Sequence, residues 1–415
     1  MIKMSHKSRL WTIALLLCLA TMINYADRLT LSVVSTDLRK EFQMTEQDYS
    51  HVVTLFLLAY AIMYAGSGMI VDKLGAKKGF AFFIFGWSVA QMLHAATTGK
   101  WSLAGARFFL GLCEPGNWPA AVKAVNEWFP PAQRALGVGI FNAGSSLGSA
   151  LAPPMVAAIT IRYGWKSAFL FTGSLGFLWL IAWLFIYETP ANKQAEAIAE
   201  KVDWRKVIRA RPCYTLMIAR FFTDPVIYFM IFWLPEYLRK ERGYSLLEVG
   251  YYAWVPFIFG DIGYVMGGWL SGMLIDRGWE IQRARKFVMY LGAAFVPMAI
   301  LAPYAPSAAL AIAASCFVTF GHAFWVSNLQ ALPADLFKPN EVATASGFTG
   351  MGGGIGGMLA NLGTGYLVMH FSYAPVFVIA GLMHPLSSVI VYRMLKNNDD
   401  DPSRSRLGNR TARVM

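Results

Sequence analysis

Asp27 and Arg28 stand side by side in a stretch, Trp11 to Thr36, that holds no other charged residue. Further along, otherwise apolar stretches hold Arg107 and Glu114 seven residues apart, Arg220 and Asp224 four apart, a lone Asp261 and His322. An ionisable group at mid-bilayer costs at least about 2.5–3.5 kcal/mol, so such residues face a bundle interior or a water-filled cavity. The chemistry open to buried carboxylates is reversible protonation. Burial disfavours the charged form and a nearby guanidinium favours it, so a balanced group can be neutral in one conformation and ionised in another. The Arg28 fork can grip a carboxylate bidentately, which Lys cannot match. A standing Asp27–Arg28 ion pair is the plainer reading, although sequence neighbours point about 100° apart on a helix. Arg107 and Glu114 lie about two turns apart on one helix face, with roughly 10 Å between their backbones, so long side chains can meet directly or through water. Arg220 and Asp224 can neutralise one another at i and i+4.

The elements that carry these residues are membrane helices. Of 415 residues, 56% are hydrophobic and 14% charged, with a mean hydropathy of +0.44. Soluble domains average about 25% charged residues, and about 20 apolar residues span a bilayer as a helix. The pattern predicts an all-α integral membrane protein of twelve transmembrane helices, approximately 11–36, 50–71, 79–97, 101–122, 135–161, 166–187, 213–235, 247–274, 287–304, 307–332, 342–369 and 374–395. No room is left for a separate soluble domain. The net charge of +12 concentrates on segments that share a side with the N-terminus, which places both termini in the cytoplasm and argues against nucleic acid. The four cysteines (Cys18, Cys113, Cys213, Cys316) fall in or at the edges of spans, which points away from a disulfide framework. The N-terminal basic residues and apolar run mimic a signal peptide, but the run is too long and Leu17–Cys18 lacks a small cleavage residue; a retained first helix is expected.

The polar segment 188–212 divides the chain into an N-terminal six-helix bundle (1–187) and a C-terminal one (213–396), followed by a cytoplasmic tail, 397–415, expected to be disordered. A repeat crosses that divide. GMIVDK (68–73) matches GMLIDR (272–277) at offset 204, and GIFNAGSSLG (139–148) matches GFTGMGGGIG (347–356) at offset 208. Parallel repeats of this kind put a substrate site between the halves near the midplane.

GMIVDKLGAKK (68–78) resembles the loop signature of the major facilitator superfamily, carried here by Gly68, Asp72, Lys73, Gly75, Lys77 and Lys78, with Asp276 and Arg277 in the second half. Glycine there allows close helix approach, and the Asp can meet a helix N-terminus or a basic partner. INYADR (23–28), ARFFLGLCEPGNWPA, EWFPPAQRALGVGIFNAGSSLG (127–148), RFFTDPVIYFMIFWLPEYL (220–238), DIGYVMGGWLSGMLIDRGW (261–279) and GHAFWVSNLQALPADLF (321–337) together resemble the anion:cation symporter family, and within it the hexuronate transporters. The resemblance implies two pseudo-symmetric six-helix bundles and a proton-coupled symporter that imports a sugar acid, a hexuronate, by alternating access. Its proton sites would be Asp27 and Glu114, with Arg107 competing with the proton for Glu114, and Arg28 holding the substrate carboxylate. Tyr25, Tyr60, Tyr64, Asn142, Ser145, His322, Trp325 and Asn328 are the expected lining. Trp118 lies just beyond Glu114. The family often carries Asn where this chain has GMGGGIGG (350–357), and related carriers tend to have Lys at the position of Arg220.

The glycine run is not a phosphate cradle, because it lies in an apolar span with no strand before it; packing and bending explain it. A monoanion moved with one proton draws nothing from the membrane potential, so more than one proton per anion is expected. The alternative carrier is one for another organic anion (an aldonate, aldarate or monocarboxylate), or an antiporter. An enzyme is not expected: His-Glu-x-x-His does not occur, the Gly-x-Ser-x-Gly spacing of GSSLG (144–148) falls inside an apolar span and not at a strand-to-helix nucleophile turn, and neither cofactor nor metal is implied. A sensor would want a larger extramembrane domain. The expected partners are a small organic anion, protons and the lipid bilayer of the inner (cytoplasmic) membrane, around a monomer.

Overall fold

The computed structural model describes residues 5–190 and 202–395; most of the central charged segment and the tail expected to be disordered lie outside them. The described chain is all-helical. Its first half comprises α1 (His6–Val33), α2 (Ser35–Glu41), α3 (Glu46–Leu93), α4 (Lys100–Cys113), α5 (Asn117–Trp128), α6 (Pro131–Tyr163) and α7 (Trp165–Ile186). After the short α8 (Trp204–Arg209) come α9 (Arg211–Phe232), α10 (Leu234–Lys240), α11 (Leu246–Tyr252), α12 (Val255–Asp276), α13 (Ile281–Phe295), α14 (Ala308–Leu329), α15 (Leu332–Leu336), α16 (Val342–His370) and α17 (Ala374–Met394).

Among the described residues, nine helices are long and apolar enough to cross a membrane. The difference from twelve has physical causes. The expected spans 50–71 and 79–97 form one helical run that reverses at a single residue, Gly75, with φ 79° and ψ 162°. That conformation is essentially reserved for glycine. A Cβ on Gly79 would lie 2.9 Å from Val71 Cα, so the two arms pack at once. The expected span 101–122 is interrupted by a 3₁₀ turn at Glu114–Gly116 and runs on to Trp128. In α16, glycine takes the place of larger apolar residues.

The repeat in the sequence is a repeat of contacts. Gly144 and Gly148 of α6 press on the carbonyls of Cys18 and Met22, and Gly352 and Gly356 of α16 press on those of Met217 and Phe221. Helix caps repeat as well: the Thr45–Asp48 capping box opens α3 and the Ser245–Glu248 box opens α11. Each signature glycine also meets the start of a helix in the other half. A Cβ on Gly68 would sit 2.2 Å from the Ala343 carbonyl oxygen, and one on Gly272 would sit 2.4 Å from that of Ala132. Small residues let helices without a hydrophobic driving force approach this closely. Contacts between the halves therefore concentrate at the end that carries the loop signature. They continue inward through Gly139 against Tyr264 and Ser146 against Asp261.

Replacing Gly75 by Ala should cost about 1–3 kcal/mol, because φ is positive there. Gly105→Ala, in a helix with nothing within 4 Å of the added carbon, should be neutral. Thermal unfolding of the two detergent-purified variants checks the contrast.

Candidate functional site

Arg28 and Glu114 form the centre of the site. Pro115 follows Glu114 and has no N–H to continue α4, so the chain turns there; Gly116 is wedged against the Phe83 ring, where a Cβ would lie 2.1 Å away. The turn aims Glu114 at α1. Arg28 Nε and Nη2 both donate to Glu114 Oε2, at 3.0 and 2.8 Å. Asn24 links the two: its Oδ1 accepts from Arg28 Nη2 at 3.3 Å and its Nδ2 donates to the Glu114 carbonyl at 3.3 Å. The Glu114 side chain is fully buried, whereas that of Arg28 is 23% exposed. Around the guanidinium stand the rings of Tyr60 at 4.7 Å, Tyr25 at 5.0 Å and Phe56 at 5.6 Å. Trp118 Nε1 fixes Tyr60 by donating to its hydroxyl at 2.8 Å. Stacking of this kind suits a guanidinium far better than an ammonium.

Arg107 does not pair with Glu114. Its Nη2 donates to the Arg28 carbonyl at 2.8 Å, and its guanidinium lies 4.5 Å from the Phe56 ring centre. Sequence spacing addresses contacts along one helix; here the acid is taken by an arginine from the neighbouring helix. Nor does Arg28 pair with Asp27. The 100° between neighbours sends Arg28 to Glu114 and Asp27 into the bundle, where neither carboxyl oxygen has a hydrogen-bond partner. Gln91 packs beside it, donating to the Asp27 carbonyl at 3.2 Å and to Thr172 Oγ1 at 2.8 Å.

The second half supplies Arg220 and Asp224, joined at 3.0 and 2.7 Å. Tyr64, T-shaped on Tyr60 at 5.7 Å, connects this pair to the first half. Tyr228 and Tyr264, which sequence reasoning missed, stand within electrostatic reach of Tyr25 and Asp224. Their spacing was the available signal: Tyr228 is four residues after Asp224, and Tyr264 three after Asp261. Tyr25, Arg28, Tyr228, Asp261 and Tyr264 are half-buried. His322 is buried against His384 at 3.2 Å. Three expected lining residues serve packing in this conformation instead. Trp325 is 0% exposed in a core cluster. Asn328 holds the Gly267 carbonyl at 3.1 Å. Asn142 ties the halves through Gln330 at 2.9 Å. Ser145, half-buried, donates to the Asn142 carbonyl.

At the signature end Asp72 accepts from Lys123 Nζ at 2.5 Å and from the backbone N–H groups of Ala343 and Thr344 at 3.2 and 2.6 Å. A carboxylate at a helix N-terminus is favoured by the dipole. Lys73 is exposed and Lys77 half-buried, its carbonyl accepting from Trp183. The second copy works differently, which corrects the expectation for Asp276 and Arg277: both are exposed, because α12 ends there and Gly278 (φ 91°) turns the chain away. Arg285 takes the role, bonding Pro131 O at 2.6 Å, Ser271 at 2.7 Å and Asp335 at 3.1 Å. Arg134 completes the lock on Asp335 at 2.8 Å.

The sequence matches the Major Facilitator Superfamily over residues 17–361 and 272–413. It is 31% identical to the hexuronate transporter of Escherichia coli K12, covering 93% of this chain and 94% of the relative. To the D-galactonate transporter of Escherichia coli O6:H1 it is 26% identical, covering 87% and 89%. The structure superposes on that of the transporter FucP with a TM-score of 0.75 at 14% identity, covering 92% of this chain and 99% of that one. The chain belongs to the Major Facilitator Superfamily. It is a multi-pass membrane transporter and not an enzyme.

Breaking a buried ion pair by removing one partner costs about 3–5 kcal/mol, so Asp72→Asn should open the signature end. In a cysteine-free background, a cysteine at Ser346, 4% exposed here, should be alkylated at least about tenfold faster in that variant, a shift of roughly 1.4 kcal/mol.

Proposed function

We propose that the chain is a proton-coupled symporter that imports a sugar-acid anion, a hexuronate, across the bacterial inner membrane by alternating access. Twelve membrane helices form two six-helix bundles with both termini cytoplasmic, and the working unit is a monomer. The signature end then faces the cytoplasm, and the conformation described is closed inward. The observation that carries the reading is Arg28, 23% exposed yet doubly bonded to a fully buried Glu114. An incoming carboxylate competes with Glu114 for the same fork. Once released, Glu114 is left charged in a dry interior, and taking a proton is its cheapest resolution. Substrate and proton thus load together. Asp27, buried without a donor for its carboxyl oxygens, is the second proton site. Arg107, held on the Arg28 carbonyl, positions the arginine instead of competing for Glu114. The relatives named for hexuronate and D-galactonate support a sugar acid as the substrate.

Proteoliposomes under an imposed pH gradient test this with glucuronate, galacturonate, galactonate and a simple monocarboxylate. Glucuronate or galacturonate should accumulate most. An antiporter would instead move protons against the anion. Loss of the bidentate charged hydrogen bonds in Arg28→Lys should weaken substrate binding by about 1.5–3 kcal/mol. Two protons per monoanion make the cycle electrogenic, so an inside-negative potential should drive accumulation, worth about 2.3 kcal/mol per 100 mV. Accumulation indifferent to potential would remove the second proton from the scheme.

A further inference from the structure

The exchange at Arg28 leaves the Arg220–Asp224 pair without a task. Both residues are buried, at 8% and 5% exposure, in the middle of α9. Arg220 Nε and Nη2 converge on a single oxygen, Asp224 Oδ2, and Oδ1 has no partner. Arg220 Nη1 reaches only the Tyr64 hydroxyl, at 3.5 Å, the long limit of a hydrogen bond. The pair therefore holds a spare acceptor beside an under-used donor.

Its place in the fold is built for it. A Cβ on Gly353 would lie 1.9 Å from Asp224 Oδ2, one on Gly350 1.9 Å from the Tyr64 ring, and one on Gly357 2.2 Å from the Tyr228 ring. Glycines at 350, 353 and 357 share one face of α16, so the bare groove seats the acid between two tyrosines. A charge pair this deep is weak evidence for stability, since apolar residues of similar volume do as well or better. The pair also faces the carboxylate fork ring by ring: Arg28 over Tyr60 at 4.7 Å, Tyr60 on Tyr64 at 5.7 Å, and Arg220 over Tyr64 at 5.7 Å.

We infer that Arg220 and Asp224 form a second subsite, supplied by the C-terminal half, that reads the hydroxyl groups of the sugar acid at the end remote from its carboxylate. The inference rests on the proposal that Arg28 holds that carboxylate. A hydroxyl both donates and accepts; it donates a hydrogen bond to Asp224 Oδ1 while a neighbouring hydroxyl oxygen accepts one from Arg220 Nη1, so a vicinal diol satisfies both groups. A second carboxylate in the same place meets the Asp224 charge and finds two of the Arg220 donors engaged. Like-charge juxtaposition of this kind is how a site rejects a near-isostere. The subsite selects a hexuronate over the corresponding aldarate.

Titration calorimetry on the full-length purified protein with D-glucuronate and D-glucarate tests it. The parent should bind glucuronate at least about tenfold tighter, a difference of about 1.4 kcal/mol. Asp224→Asn removes the charge and keeps the shape; glucarate should then gain affinity, bringing the ratio to about threefold or less, and misfolding cannot produce a gain. Arg28→Lys should weaken both ligands alike. Equal parental affinities, or an unchanged ratio in Asp224→Asn, overturn the subsite while the Arg28 reading stands. Unchanged affinities in Arg28→Lys overturn the carboxylate reading and the subsite with it.

Discussion

One charge pair under lipid constrains the rest of the architecture. Arg28 and Glu114 cannot be left single in a dry interior without a cost of several kcal/mol, and the helices around them are arranged to keep them together. The 3₁₀ turn at Glu114–Gly116 aims the acid, Asn24 ties its backbone to the guanidinium, and Trp118 fixes the ring beneath it. Arg107 spends its Nη2 hydrogen bond on the Arg28 backbone. The pair is thus held from several sides, and Arg28 keeps a partly exposed edge.

A second set of close contacts joins the two halves. At the signature end, Gly68 and Gly272 bring backbone against backbone, and Asp72 and Asp335 hold partners across the divide. These are short contacts between rigid helices, so the packed arrangement is made or broken as a unit. Tyr64 belongs to both systems: its carbonyl lies against Gly347 and its ring joins the Arg28 and Arg220 sides. A ligand spanning the two arginines would report its arrival to both halves at once.

Much of this was legible in the sequence, and the failures share a cause. Charges in apolar stretches picked out Arg28 and Glu114, and Arg220 and Asp224, which the fold brings into ion pairs, because insertion cost is a property of the residue alone. The offsets of 204 and 208 marked the two-fold architecture, and Gly144/Gly352 and Gly68/Gly272 make equivalent contacts. Partner choice was not legible. Arg28 and Glu114 are 86 residues apart, and only the packing of α1 on the Glu114 turn selects that pair over Arg107–Glu114 or Arg28–Asp27. Helical periodicity placed His322, Trp325 and Asn328 close together on α14, yet α14 turns them inward, toward His384, a core cluster and the Gly267 carbonyl respectively. The Asp276 signature looked like a copy of Asp72, but one residue of positive φ after it directs the chain elsewhere.

The claim at the centre is that substrate carboxylate and Glu114 compete for one guanidinium, so that anion binding draws a proton onto the acid. Titration calorimetry of sugar-acid binding in buffers of differing ionisation enthalpy measures that proton directly. The account predicts that Glu114 takes up about one proton per anion bound, beside any taken by Asp27, from the linkage between protonation and binding, and that uptake falls by about one in Glu114→Gln with binding retained. Binding without proton uptake in the parent, or the same uptake in Glu114→Gln, would contradict it.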